Sequence, residues 1–267
     1  MTTASPSGPR SFLARSIETD RDYFELGARV ERLPGAVLAW MPGLASAAPG
    51  AVIQRVDEAA VAEGAGQWLS RAEHALSDVG AAIARIYLEG RHDRIDGPFR
   101  KAGYIDREEL IFANSFGQPD PGLEVRLVES DSDWDRKLRL HQFIATPPDG
   151  HQTSASDWVA LERRKCEAGM EAYLVERDGE TVGAIGALRG EGVLRMKNIV
   201  VHPAHRRQGV GLGMLGHLGT IGMSRGLSDQ IVFAVRGEIG ELLYRAAGMR
   251  EIGSVVEWSK PLGVSRK

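Results

Sequence analysis

The feature that most restricts how this chain can fold is an internal repeat. Residues 84–114 run in step with the segment 145 positions further on: Ile86 answers Ile231, Phe99 answers Tyr244, Arg100 answers Arg245 and Gly103 answers Gly248, without a gap. Each copy reads as an apolar β-branched run, a polar helical stretch with one aromatic, an Ala-Gly turn and a further apolar strand. A pattern that recurs in register is one structural unit used twice, so the chain is read as two copies of one fold. Its 267 residues suffice for two domains with real cores. Ser115–Gly122, SFGQPDPG, is the most linker-like interior stretch. The expected division is a disordered Ser/Thr/Pro/Gly tail over 1–10, an amino-terminal copy over 11–114, a linker over 115–122 and a carboxy-terminal copy over 123–263.

Periodicity and punctuation outline the elements. A helix is expected over Phe12–Val30, then strands Val37–Met41 and Ala51–Val56. Asp57 caps an alanine-rich helix to Val79 with a weak point at Gly64 and Gly66. Strands follow at Ala84–Leu88 and Glu109–Phe112. In the second half, strand Leu123–Val128 precedes helices Ser132–Phe143 and Asp157–Ala168, separated by a polar loop, Thr146–Ser156. Asp178-Gly179 marks a hairpin between Ala172–Arg177 and Thr181–Leu188. Strand Val193–Val201 leads to a helix, strand Ile231–Val235, a short helix and two final strands.

The two copies part company between that strand and its helix. Asn198–Gly216 reads NIVVHPAHRRQGVGLGMLG: a β-branched run stopped by His202-Pro203, two arginines, then glycines opening a helix. Glycine lets the backbone turn tightly, and the first N–H groups of a helix are unpaired and partially positive. With Arg206 and Arg207 beside them they form a cradle for a phosphate or pyrophosphate. Three phosphate-binding readings compete. A P-loop needs a Lys followed by Ser or Thr, which is missing. Gly211, Gly213 and Gly216 spell G-x-G-x-x-G, but the strand has already ended near Val201 with His202 to Gln208 intervening, and Asp229 precedes the next strand instead of closing it.

The third reading fits: Arg206-x-x-Gly209-x-Gly211 resembles the acetyl-CoA loop, [RQ]-x-x-G-x-[GA], of the GCN5-related N-acetyltransferase (GNAT) family. The context agrees. Val201-His202-Pro203 ends the preceding strand, and ELLYRAAGM, Glu241–Met249, matches the family's short helix with Leu-Tyr and Gly. The resemblance implies the acyl-CoA N-acyltransferase fold, an α/β (α+β) architecture with a mixed, mostly antiparallel sheet flanked by helices, here in tandem. It implies an acetyl-CoA-dependent acyltransferase working by direct transfer to a primary amine of a small molecule or peptide. The cosubstrate would lie on Ile199, Val200, Val201, Arg206, Arg207, Gln208, Gly209, Val210, Gly211 and Leu212, with a β-bulge plausible in the strand. Tyr244 would be the general acid for the CoA thiolate, the rival reading being an aromatic that anchors the last helix. Its counterpart Phe99 has no proton to give, and Val56-Asp57-Glu58 at the first copy's helix start would repel a pyrophosphate. The first copy is therefore read as degenerate, with a structural or pocket-lining job.

The acceptor's base is not assigned. Leu194–Val201 carries Arg195, Lys197 and Asn198 but no carboxylate, leaving His141, His151, Glu162 and Glu171 as possible bases, each also readable as a surface group. Arg236 stands where family members often have Asn, and is read as meeting a phosphate or solvent. A catalytically weak acyl-CoA-binding or protein-interaction module is the alternative of another class.

Charge excludes a general polyanion binder: 33 Lys and Arg against 36 Asp and Glu leave a net charge of −3, so no nucleic-acid partner is expected. The single cysteine, Cys166, rules out an internal disulfide and a cysteine-rich zinc site, and no metal is expected. No apolar run approaches the ~18 residues of a membrane span, and the amino terminus lacks the apolar core of a signal peptide. A cytoplasmic monomer or homodimer without a membrane partner is expected.

Overall fold

Gly27, with φ of +70°, stops the first helix at Glu25, five residues before the expected end, and the residues after it form an edge strand instead. That strand alternates nothing, since four of its five residues are exposed, which is why it escaped a periodicity reading. In the computed structural model, which describes residues 11–114, 117–143 and 153–263, the first half runs α1 (Phe12–Glu25), β1 (Arg29–Leu33), β2 (Ala36–Trp40), β3 (Ala51–Gln54), α2 (Glu58–Glu63), α3 (Ala65–Asp78), β4 (Ile83–Leu88), α4 (Asp93–Lys101), β5 (Ile105–Ala113). The second runs β6 (Glu124–Leu127), α5 (Asp131–His141), α6 (Ala155–Glu167), β7 (Glu171–Arg177), β8 (Glu180–Arg189), β9 (Val193–Val201), α7 (Val210–Ser224), β10 (Asp229–Val235), α8 (Ile239–Ala246), β11 (Arg250–Pro261). The alanine-rich helix breaks at Gly64 as its composition suggested. Among the described residues no helix is long and apolar enough to cross a membrane.

Among the described residues, eleven strands join one mostly antiparallel sheet in the order β1-β2-β3-β4-β11-β5-β10-β9-β8-β7-β6. The centre of that order shows what the repeat means in space. Strand β11, from the second half, sits between β4 and β5 of the first, and β5 lies against β10 of the second. Ile86 pairs with Trp258, and Ile231 pairs with Ala113, which is the same rung carried through the 145-residue offset with the partners exchanged. The two expected final strands are thus one 12-residue strand, and the missing neighbour of β10 is supplied by the other half.

Packing follows the exchange. Trp258, fully buried, belongs to the first core with Leu38, Ile53, Trp68, Leu76, Ile86 and Phe99, whereas Leu110 and Phe112 belong to the second with Leu194, Met196, Val210, Met214 and Tyr244. Burying an aromatic of this size stabilises by roughly 1.5–3 kcal/mol, so each half holds part of the other's core. Helices α7 and α8 cover one face beside β9 and β10. Helix α1 covers the opposite face, with Ile17 on Ile111 and Val255.

Residues 117–123 lie along α7. His217 Nε2 meets the Asp120 carbonyl at 2.8 Å, and Arg177 pairs with the Asp120 carboxylate at 2.9 Å. A Cβ on Gly216 would stand 2.4 Å from the Gln118 carbonyl oxygen, and one on Gly213 would stand 2.7 Å from Leu123. Two glycines of the apparent dinucleotide fingerprint are therefore spent on close packing of a connecting segment. Gly216→Ala is expected to destabilise the fold by about 1–3 kcal/mol through overpacking, seen as a lower urea midpoint at unchanged slope.

Candidate functional site

Strands β9 and β10 run parallel but pair over three rungs only, Asp229 with Val193, Gln230 with Leu194 and Ile231 with Arg195. Beyond Ile231 they part, β10 keeping its ladder with β5 and β9 its ladder with β8. The side of β9 that faces this wedge has no partner strand among the described residues. The β8–β9 register also slips: Ala184 pairs with Val200 and Gly186 with Lys197, so Asn198 and Ile199 together oppose Ile185. This is a β-bulge, with Asn198 at φ +52°, a left-handed conformation that Asn accepts more readily than most residues. Ile199 and Val201 lean onto the α7 core, and Val200 packs on the other face with Leu140, Leu174 and Ala184.

The chain leaves β9 through a single 3-10 turn, Pro203–His205, capped by His202 Nδ1 accepting from the Ala204 N–H at 3.3 Å. Two side chains hold the loop that follows: Arg206 Nε donates to the Val201 carbonyl at 3.2 Å and Gln208 Nε2 to the Ala204 carbonyl at 2.8 Å. Arg207 and Gly209 then adopt φ of +62° and +80°, turning the backbone into α7 with Gly209 as its N-cap. The first intrahelical bond runs from Gly213 N–H to the Gly209 carbonyl at 2.9 Å. The N–H groups of Val210, Gly211 and Leu212 precede it and have no intrahelical acceptor. Arg206 and Arg207 are exposed and in no ion pair among the described residues. The product is a positive, donor-rich helix start at the mouth of the wedge. Val210 itself is buried and Leu212 is exposed.

Tyr244 is carried by α8 into the same core, its ring 5.8 Å from Phe112 and grouped with Met196 of β9 and Val232 and Ala234 of β10. Its hydroxyl makes no hydrogen bond among the described residues. Burial raises its pKa well above that of a free phenol, against a smaller opposing effect of Arg195, so it stays protonated through the neutral range. Phe99 occupies the equivalent place in the first half, fully buried and 5.3 Å from Trp258.

Of the possible bases, two come together. His141 Nε2 stands 3.5 Å from the Glu162 carboxylate and Lys137 Nζ 3.1 Å from its other oxygen, all three nearly inaccessible. Burial works to raise the Glu162 carboxyl, but Lys137 and His141 outweigh it and hold it below the usual range. Burial pushes His141 down. This is a closed ionic cluster under β8, not the surface groups envisaged from sequence. Glu171 lies elsewhere, bound to Arg189 at 2.9 Å and Arg225 at 2.5 Å. His151 falls outside the described residues. Arg236, read as meeting phosphate or solvent, is instead bound to Glu108 at 2.8 Å and Glu251 at 3.5 Å. Cys166 is half-buried, and burial lifts its thiol to about 12. Native protein at pH 8 is expected to resist alkylation by iodoacetamide, with labelling appearing on denaturation.

The face covered by α1 holds charges that sequence reasoning did not gather: Asp20 bonded to Arg195 and, at 3.2 Å, to Lys197, with Glu109 close by. No local signal could collect them, since α1, β5 and β9 are remote in the chain.

As a whole the arrangement suits a long molecule with an anionic end, phosphates on the α7 start and an extended arm in the wedge leading toward Tyr244. Residues 136–240 match the family model described as "Acetyltransferase (GNAT) family". The match contains the Arg206–Gly211 loop and ends before Tyr244. No curated protein matches the sequence. Among solved structures, the chain resembles a GCN5-related N-acetyltransferase from Sphaerobacter thermophilus, at 18% identity and TM-score 0.60, covering 85% of this chain and 77% of that one. It resembles another from Kribbella flavida, at 15% identity and TM-score 0.63, covering 93% and 96%. It also resembles a tandem GNAT protein from the clavulanic acid biosynthesis pathway, at 14% identity and TM-score 0.54, covering 97% and 91%. At these identities the likeness is one of fold, and it extends over both halves.

Proposed function

We propose, starting from residues 136–240, which match the GNAT acetyltransferase family model, that the chain transfers the acetyl group of acetyl-CoA directly to a primary amine of a small molecule or peptide. The observation that carries this reading is the wedge opening beyond Ile231 beside a helix start whose first N–H groups have no intrahelical acceptor and whose two arginines are in no ion pair among the described residues. In the proposal the pyrophosphate rests on the backbone of Gln208–Leu212 with Arg206 and Arg207. The pantetheine arm pairs with the free side of β9 at Ile199–Val201, and the thioester sits near Tyr244. The amine attacks the thioester carbonyl, the carbon–nitrogen bond forms as the carbon–sulfur bond breaks, and the Tyr244 hydroxyl protonates the leaving thiolate.

Residues 123–263 are proposed as the working copy and 11–114 as a degenerate one. The first copy's helix start supports this: the Asp57 carboxylate accepts the Ala59 and Ala60 N–H groups at 3.1 and 3.3 Å, which occupies the donors a phosphate would need. One cosubstrate per chain is expected. Thermal-shift titration tests the binding half of the reading. Acetyl-CoA at 100 times its Kd should stabilise the fold by about 2.7 kcal/mol, while NAD at the same concentration should not. Release of CoA thiol on adding amines tests the transfer half. Binding without transfer to any amine would favour the acyl-CoA-binding module instead.

A further inference from the structure

The exchange of β5 and β11 brings a carboxylate of the first copy to the wedge of the second. Glu109 lies on β5, opposite Val235 at the end of β10 on one side and Val255 of β11 on the other. Strand alternation sets it with Ile111 on the face covered by α1. Its neighbour Glu108 points the other way and pairs with Arg236. Val235 is four residues past Ile231, the last rung between β9 and β10. Glu109 therefore stands one strand from the open part of the wedge, opposite in face to Tyr244.

The charged and titratable groups around it come from several elements: Lys197 of β9, Asp20 of α1, Glu257 of β11, Tyr87 of β4 and Arg107 of its own strand. Those groups are engaged with one another or with others. Asp20 binds Arg195 and Lys197, Glu257 binds Arg85 at 2.6 Å and the Tyr87 hydroxyl, and Arg107 reaches Glu238 at 3.2 Å. Glu109 is half-buried and makes no ion pair or hydrogen bond among the described residues. A carboxylate left unengaged in so crowded a cluster has oxygens available to a ligand.

We propose that Glu109 is the base of the second copy's site, taking the proton that the acceptor nitrogen must lose, so that one active site is assembled from both copies. This rests on the reading of the chain as an amine acetyltransferase. The acceptor class follows from the charge: an aliphatic amine that arrives as an ammonium ion and is drawn to the carboxylate. The protons balance. Glu109 receives the first ammonium proton, and the resulting neutral amine attacks the carbonyl as the carbon–sulfur bond breaks. Tyr244 gives its proton to the thiolate, and the second proton lost by nitrogen returns to Tyr244 through solvent. Glu109 then discharges to solvent, leaving amide and free CoA. Burial lifts the Glu109 carboxyl to about 7, with Asp20 and Glu257 adding to burial and Lys197 and Arg107 opposing it, which is where a base working at neutral pH is most effective.

The test compares wild type, Glu109→Gln and Glu108→Gln, each checked for folding by thermal melting and for acetyl-CoA affinity by calorimetry. Each is assayed for CoA release with a panel of aliphatic primary amines between pH 6 and 9. The wild-type kcat/KM should rise with pH to a plateau just above 7. Glu109→Gln should lose about 100-fold in kcat at pH 7 and lack that limb, with acetyl-CoA affinity within twofold of wild type and Glu108→Gln keeping both rate and limb. Carbon-13 NMR of glutamate-labelled protein should show one carboxyl titrating near 7 that vanishes in Glu109→Gln. A Glu109→Gln enzyme within threefold of wild type with the same limb, or a Glu109 carboxyl titrating near 4.5, overturns the proposal while leaving acetyl transfer intact. A wild type that binds acetyl-CoA and acetylates no amine overturns both at once.

Discussion

Tyr244→Phe is expected to lower kcat by about 100-fold or more, the usual worth of a positioned general acid, while the KM for acetyl-CoA and the melting temperature hardly move. The fold argument for a silent substitution comes from the protein itself. Phe99 already fills the equivalent position of the first half, fully buried in the same strand–helix setting, and the Tyr244 hydroxyl has no described partner to lose. Removing a hydroxyl that has no partner among the described residues leaves no protein group unsatisfied. A fall in kcat and kcat/KM together would mark an interaction made only in the transition state. Because burial raises this phenol, the wild-type rate should show no loss from its ionisation between pH 6 and 9. A variant that turns over an amine at the wild-type rate would assign Tyr244 to packing against Phe112 and remove the acid from the mechanism.

How much of this could be read from the chain divides along locality. Elements set by short-range patterning were legible: the hairpin about Asp178-Gly179, the strand–loop–helix of Val193–Ser224, and the break at Gly64 all lie where turn chemistry puts them. The 145-residue offset foretold that two segments share a fold, and the rungs Ile86–Trp258 and Ile231–Ala113 carry that equivalence into space. What could not be read is which copy each strand would serve. Two equivalent strands, β5 and β11, fit the same neighbours, and only three-dimensional closure decides that each crosses over. Everything that depends on the crossing was hidden with it: Phe112 behind Tyr244, Glu108 on Arg236, Glu109 beside the wedge. The surroundings of two of the possible bases were hidden for a related reason. His141 and Glu162 lie on helices whose mutual packing buries them together, and helix periodicity alone does not say which polar residue is turned inward.

Gly209→Val is expected to weaken acetyl-CoA binding roughly 10- to 100-fold while the fold melts within a few degrees of wild type. At φ +80° a β-branched residue costs about 1–3 kcal/mol. Unliganded, the exposed loop can relax away from that conformation, because a Cβ at 209 would have nothing within 4 Å and no packing holds it. The cost then falls on binding, which must restore the turn that aims the N–H groups at phosphate; 1.4 kcal/mol is a factor of ten. Gly211, two residues on, should behave differently. A Cβ there would meet Leu243 at 3.1 Å, so Gly211→Val pushes on α8 beside Tyr244 and should reduce kcat more than affinity. Calorimetry for binding and steady-state rates for turnover separate the two variants. Equal losses of affinity in both would mean that the two glycines serve the phosphate alone; no loss in Gly209→Val would move the cosubstrate away from the start of α7.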